Sequence, residues 1–187
     1  MRNHCLIIID MLHDFLDQWE ADRRDRLIES TNRLIEAFRV FALPVLWVRQ
    51  EFEPDLSDAF LDMRDKQISI TIKGTRGSQI HSDLAFESGD MTVIKKRYSA
   101  FFQTELDEVL KDLGVTAPVL AGVNTHACIR MAAIDAYQRD MRVVLAADCI
   151  GSYDNEHAQV SLKYMDGKIA SVTTSDQIIA KLNRTSA

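Results

Sequence analysis

Three observations predict an α/β fold, a doubly wound, six-stranded, mainly parallel sheet held between two helical layers as an α/β/α sandwich. Short runs rich in β-branched residues recur along the chain, helix-length amphipathic stretches separate them, and most of the runs do not alternate apolar with polar residues. Strands covered by helices on both faces read this way, because each parallel crossover lays a helix over the sheet.

The runs are CLIIID (5–10), PVLWVR (44–49), TVIK (92–95), PVLAGV (118–123), RVVLAAD (142–148) and KIASVTT (168–174). Between the first two, Leu27, Thr31, Leu34, Ile35 and Phe38 share one helical face. Leu106, Val109, Leu110 and Leu113 do the same before Gly114, which closes that helix. Further helices are expected at about 126–139, 154–166 and 175–183. The stretch 50–90 has turn residues and charges without sustained periodicity, and reads as a long excursion with short helical turns over the site.

At 187 residues, 47% of them hydrophobic, the chain is long enough for one well-buried domain, expected to span 1–187. Its formal net charge of −6 gives no basic footprint for a phosphate backbone, so nucleic acid is not an expected partner. The apolar start, CLIII, is far too short to span a bilayer and no small-residue cleavage site follows it. A cytoplasmic protein without membrane association is expected. Three cysteines without a CxxC pair make neither a disulfide framework nor a structural zinc site.

In open α/β sheets the site lies at the carboxyl ends of the strands. The residues there are Asp10, Arg49 and Gln50, Lys95 and Lys96, Asn124 to Cys128, and Asp148. Asp10 ends a run of aliphatic residues, where desolvation raises a carboxylate towards the working range of a general base; capping the next helix or pairing with a lysine is the structural alternative. Lys95 is either a salt-bridge partner or an electrostatic aid, depending on what it faces. Cys128 stands at the start of an alanine-rich helix. There the helix dipole and a nearby ammonium would lower a thiol pKa from about 8.5, and the amides of the same turn would bind an oxyanion. A packed structural cysteine is the alternative for Cys128, and the expected reading for Cys5 and Cys149.

Around the site, Phe15, Trp47, Gln50, Tyr98 and Phe101 are candidates for lining a pocket, with core packing as the alternative for the aromatics. His13 is at best a pocket-lining candidate. His126 does not share a helix face with Cys128 and is a poor base for it. His157 is expected to satisfy backbone groups at its helix start. His4 and His81 read as surface positions, and Arg76 is left outside the site.

LIIIDMLHDF, VIKKRYSAFF and AGVNTHACIRMAAIDAYQRDMRVVLAADCIGS, in that order, resemble the isochorismatase-like cysteine hydrolases, which include nicotinamidases, carbamoylsarcosine amidases and ureidoacrylate amidohydrolases. The resemblance covers nearly the whole chain. It implies a catalytic triad of Asp10, Lys95 and Cys128, a cis peptide between Val123 and Asn124, and oxyanion donors at Ala127 and Cys128. The implied reaction is hydrolysis of a small amide or ureido compound through a Cys128 thioester, with Asp10 as acid and base and Lys95 as electrostatic partner. A vinyl ether hydrolase of isochorismatase type and a non-catalytic scaffold are the alternatives. Dimers or tetramers are common in such families, so a homo-oligomer is implied.

The chain also departs from that pattern. Leu12 and His13 stand where many members have glutamine and asparagine. Nicotinamidases bind a metal through a passage resembling D-W-H-P after the second strand, whereas WVRQEFEPD here has no histidine. Neither a metal nor nicotinamide is expected to bind, and no cofactor is expected.

Overall fold

The computed structural model describes residues 3–185. Six strands run β1 (His4–Ile9), β2 (Val45–Gln50), β3 (Met91–Lys95), β4 (Ala117–Val123), β5 (Val143–Gly151) and β6 (Ala170–Thr173). They hydrogen-bond in the order β3-β2-β1-β4-β5-β6, and every pairing is parallel. The chain winds outwards from β1 to β3, then returns to lay β4 against the other side of β1. That reversal opens a crevice between the carboxyl ends of β1 and β4.

Helices α1 (His13–Leu16), α2 (Ala21–Val40), α3 (Leu61–Lys66), α4 (Leu106–Asp112), α5 (Arg130–Tyr137), α6 (Asn155–Met165) and α7 (Ser175–Thr185) fill the connections. The period-2 geometry of β1 divides its aliphatic run between two cores. Leu6 and Ile8 pack with the buried stripe of α2 (Leu27, Ile28, Leu34, Ile35, Phe38) and with Ile178 and Leu182 of α7. Cys5, Ile7 and Ile9 pack on the opposite face with Leu106 and Leu110 of α4, Ala132, Ala133 and Ala136 of α5, and Met165 of α6. Burying each such isoleucine stabilises the fold by roughly 1.5–3 kcal/mol, which explains why the run has no polar member before Asp10. The result is a three-layer α/β/α sandwich.

Gly122 is required where β4 crosses close to β1. Its φ is +116°, and a Cβ there would lie 2.0 Å from the Ile9 carbonyl oxygen. The β4–β5 register also shifts between Leu120 and Gly122.

The excursion between β2 and β3 holds α3, a 3₁₀ turn (Arg76–Ser78) and a small core of Phe52, Leu56 and Ala59. Its anchor is α1, a helix too short for periodicity to announce. Asp14 Oδ2 accepts the Thr71 N–H at 2.7 Å. The Gly77 backbone lies so close to that carboxylate that a Cβ would approach it to 2.2 Å.

Several sequence expectations are corrected here. Trp47 and Phe101 do not line the cleft beside Cys128. Trp47 is buried in the α2-side core and donates its indole N–H to Asp90 Oδ2 at 2.9 Å, while Phe101 packs in the opposite core beneath the Arg139 guanidinium. Asp148 lies within β5 rather than at its end, and its carboxylate holds Ser175 at the start of α7, accepting that residue's N–H at 2.7 Å. Cys149 also lies inside β5, fully buried. His81 is buried rather than a surface residue.

Candidate active site

Asp10 is the first residue past β1 and adopts φ +56°, the left-handed conformation that short polar side chains tolerate best among non-glycine residues. Its carboxylate is buried between one backbone donor and one ammonium. Oδ1 accepts the backbone N–H of Gln50, at the end of β2, at 2.7 Å. Oδ2 lies 2.7 Å from Lys95 Nζ, at the end of β3. The lysine thus reaches over β2 to meet a residue of β1.

Lys95 is fully buried, an uncommon state for an ammonium unless it is paired. Its Nζ also donates to the Arg97 carbonyl at 3.1 Å and approaches Cys128 Sγ at 3.5 Å. Burial alone would lower the lysine pKa; the Asp10 carboxylate outweighs it, and the pKa is raised. Lys95 is therefore an ammonium at neutral pH.

Cys128 sits between β4 and α5, in a π-helical turn over Thr125–Ile129 rather than at the first turn of an α-helix. The Val123–Asn124 peptide bond before it is cis. The residue is 4% exposed. Burial, then the negative charge of Asp10, push the thiol up to about 12, against the opposing pull of Lys95. This reverses the sequence expectation of a stabilised thiolate. The carboxylate and the apolar surroundings outweigh the ammonium, so the resting group is a thiol. The Ala127 amide, expected to face an oxyanion, donates instead to the Asn124 carbonyl at 3.0 Å.

Cys128 opens onto a cleft of about 730 Å³. Phe15, Gln50 and Tyr98 line it, as the sequence suggested, together with Asn124 and Ala127. Phe60, Met63, Ile68 and Ile70 come from the excursion, and Arg130, Met131 and Ile134 from α5. These were missed because 50–90 has no periodicity to mark which of its apolar residues turn inwards. For α5, a sequence signal existed: Arg130 and Ile134 are i and i+4, on one helical face within two turns of the thiol.

The histidines lie apart from the thiol chemistry. His126 lines the cleft but places Nδ1 2.6 Å from Ser152 Oγ. His157 does not serve backbone groups through its ring: Asp154 Oδ1 caps α6 by accepting the His157 N–H, and the imidazole contacts Asp154 Oδ2 at 2.7 Å. Arg76 pairs with Asp17, and His13 turns away from the cleft towards Asp17 and His81. Among the described residues, no helix is long and apolar enough to cross a membrane.

Comparison with known proteins identifies the fold and the family. A probable inactive nicotinamidase of Arabidopsis thaliana is 33% identical over 147 residues, covering 74% of this chain and 75% of the relative. The crystal structure of an isochorismatase family protein from Desulfovibrio vulgaris superposes with a TM-score of 0.89 at 26% identity, covering 98% of this chain and 100% of that one. An N-carbamoylsarcosine amidase from Thermoplasma acidophilum superposes with a TM-score of 0.78 at 26% identity, covering 93% of this chain and 97% of the other. The family model described as the isochorismatase domain matches residues 4–177, from the first residue of β1 into α7. With the model spanning all six strands and the crevice between β1 and β4, the chain belongs to the isochorismatase family.

Proposed function

We propose that this chain hydrolyses the C–N bond of a small amide or ureido compound through a thioester on Cys128. One observation carries the reading: Asp10 and Cys128 share the Lys95 ammonium at the inner end of a cleft sized for a small molecule. A structural ion pair needs no thiol beside it, and a structural cysteine needs no buried ammonium.

The steps follow from the protonation states. As Sγ attacks the substrate carbonyl carbon, Asp10 takes the thiol proton, and Lys95 stabilises the negative charge that leaves the carboxylate for the sulfur. The Cys128 amide is the oxyanion donor in this reading, because that of Ala127 is engaged by Asn124. When the tetrahedral adduct collapses, the C–N bond breaks and Asp10 returns its proton to the departing ammonia or amine. Asp10, again a carboxylate, then takes a proton from the water that attacks the thioester, and the acid product leaves with the thiol restored. These steps use only the chain's own residues and water.

The cleft walls are mostly apolar, with Phe15, Phe60, Met63, Ile68 and Ile134 facing a few polar groups. They suit an acyl portion with a compact apolar body, oriented by Gln50, Asn124 or Arg130.

Two specific observations favour other readings. The matching domain is described by isochorismatase, which favours vinyl ether hydrolysis. The Arabidopsis relative is named inactive, which favours a fold kept without turnover. Ammonia release across a panel of small amides and ureido acids, together with loss of a vinyl ether followed by chromatography, separates the three. The amidohydrolase reading expects ammonia from at least one amide and none from Cys128→Ala. Turnover of the vinyl ether alone, or ammonia release that survives Cys128→Ala, contradicts it.

A further inference from the structure

Outside the cleft, three side chains of metal-ligating type converge. His13 lies in α1, Asp17 is its C-cap, and His81 comes from the passage between the 3₁₀ turn and β3. Asp17 Oδ1 lies 3.1 Å from His13 Nδ1 and 3.3 Å from His81 Nε2. The two rings sit 4.6 Å apart, centroid to centroid, and all three ligand atoms lie within 4.8 Å of one another. Zinc bonds to imidazole nitrogen and carboxylate oxygen are about 2.0–2.2 Å long, so two ligands of a tetrahedral ion stand about 3.3 Å apart. Both measured contacts to Asp17 match that spacing.

A hydrogen-bonded His–Asp–His cluster has similar distances, so the setting of the ligands decides. Both histidines are 5% exposed, whereas Asp17 opens to solvent and provides an entry path. The backbone fixes both histidines: the His13 N–H donates to the Gln79 carbonyl at 3.1 Å, the His81 N–H to the Met11 carbonyl at 2.9 Å, and Leu12 bridges to Ile80. An outer set of partners is also in place. Arg76 Nη1 holds the other Asp17 oxygen at 2.6 Å, and Asp83 Oδ2 lies 3.9 Å from His81 Nδ1. Without an ion, the Asp83 N–H donates to His81 Nδ1 at 3.3 Å. Ligation through Nε2 would leave the ring proton on Nδ1, which would then donate to the Asp83 carboxylate.

We propose that His13 Nδ1, Asp17 Oδ1 and His81 Nε2 bind one divalent cation of the zinc type, with water completing its coordination. Two imidazoles and one carboxylate select borderline ions over magnesium or calcium. The ion fastens the excursion to α1, three residues beyond Asp10, and acts as a clasp rather than a reactant.

The test is titration of the chelator-treated, tag-free protein with Co²⁺, read by visible absorption, and with Zn²⁺, read by thermal melting. The expected result is one equivalent of Co²⁺ with d–d bands of a four- or five-coordinate site, and a higher melting temperature with Zn²⁺. His13→Ala and His81→Ala should each weaken Co²⁺ binding more than about tenfold, and Cys128→Ser should leave it unchanged. Asp17→Asn, at an exposed position that keeps a hydrogen-bonding oxygen, should also weaken binding in a folded protein. Absence of the bands in the wild type, their survival in both Asp17→Asn and His81→Ala, or their loss in Cys128→Ser overturns the proposal.

Discussion

Lys95 and Asp10 form a buried ion pair, Nζ to Oδ2 2.7 Å, between strands that are not neighbours in the sheet. The pair spans the end of β2, whose Gln50 N–H occupies the other carboxylate oxygen. Removing one partner of such a pair leaves an uncompensated buried charge, at a cost of about 3–5 kcal/mol, whereas replacing both by neutral groups costs much less. Lys95→Met is therefore expected to lose several kcal/mol of stability in urea denaturation, and the double variant Lys95→Met, Asp10→Asn to recover much of it. Neither variant should turn over substrate. A Lys95→Met protein as stable as the wild type would contradict a charged pair in the resting enzyme.

The raised Cys128 pKa sets a pH dependence whose sign follows directly. An acid shifted up to about 12 stays protonated through neutral pH, so the resting group is a thiol at pH 7. Iodoacetamide labelling of Cys128 should accordingly be slow at pH 7 and climb about tenfold per pH unit through pH 8 to 10, without a plateau. Cys5 and Cys149, also pushed up to about 12 by burial, do not line the cleft and should lag behind it. Peptide mapping by mass spectrometry reads all three; a plateau of fast Cys128 labelling below pH 8 would show a resting thiolate instead.

Gly122→Ala tests how closely the site depends on the β1–β4 contact. The added methyl group meets the Ile9 carbonyl oxygen at 2.0 Å, and that oxygen belongs to the residue before Asp10. Backbone cannot yield as a flexible side chain does, and a φ of +116° is itself unfavourable for alanine. The expected outcome is a loss above about 4 kcal/mol or failure to recover folded protein, placing it among the severe substitutions. Near wild-type melting of Gly122→Ala would refute this account of the crevice.

The sheet was legible in the sequence because a strand buried on both faces has little choice of composition. CLIIID ends at Asp10 and TVIK at Lys95, and parallel strands bring such ends to one edge whatever the loops do. The protonation state of Cys128 was not legible. It depends on whether burial and Asp10 outweigh Lys95, which only their positions decide. Nor was the role of α1, whose Asp14 and His13 act through contacts with Thr71, Gly77 and His81, more than fifty residues along the chain. Trp47 and Phe101 failed as pocket residues for a related reason. An aromatic near a strand end can face the core or the cleft, and alternation along the strand turned Trp47 into the α2 side.

The central claim, a covalent intermediate on Cys128, is tested most directly by mass spectrometry of the enzyme quenched in acid during turnover of an amide found to release ammonia. The account predicts a mass increase equal to the substrate's acyl group less the thiol hydrogen it replaces, mapped to the peptide carrying Cys128 and absent in Cys128→Ala. An adduct on another residue, or ammonia release by Cys128→Ala at the wild-type rate, would contradict it.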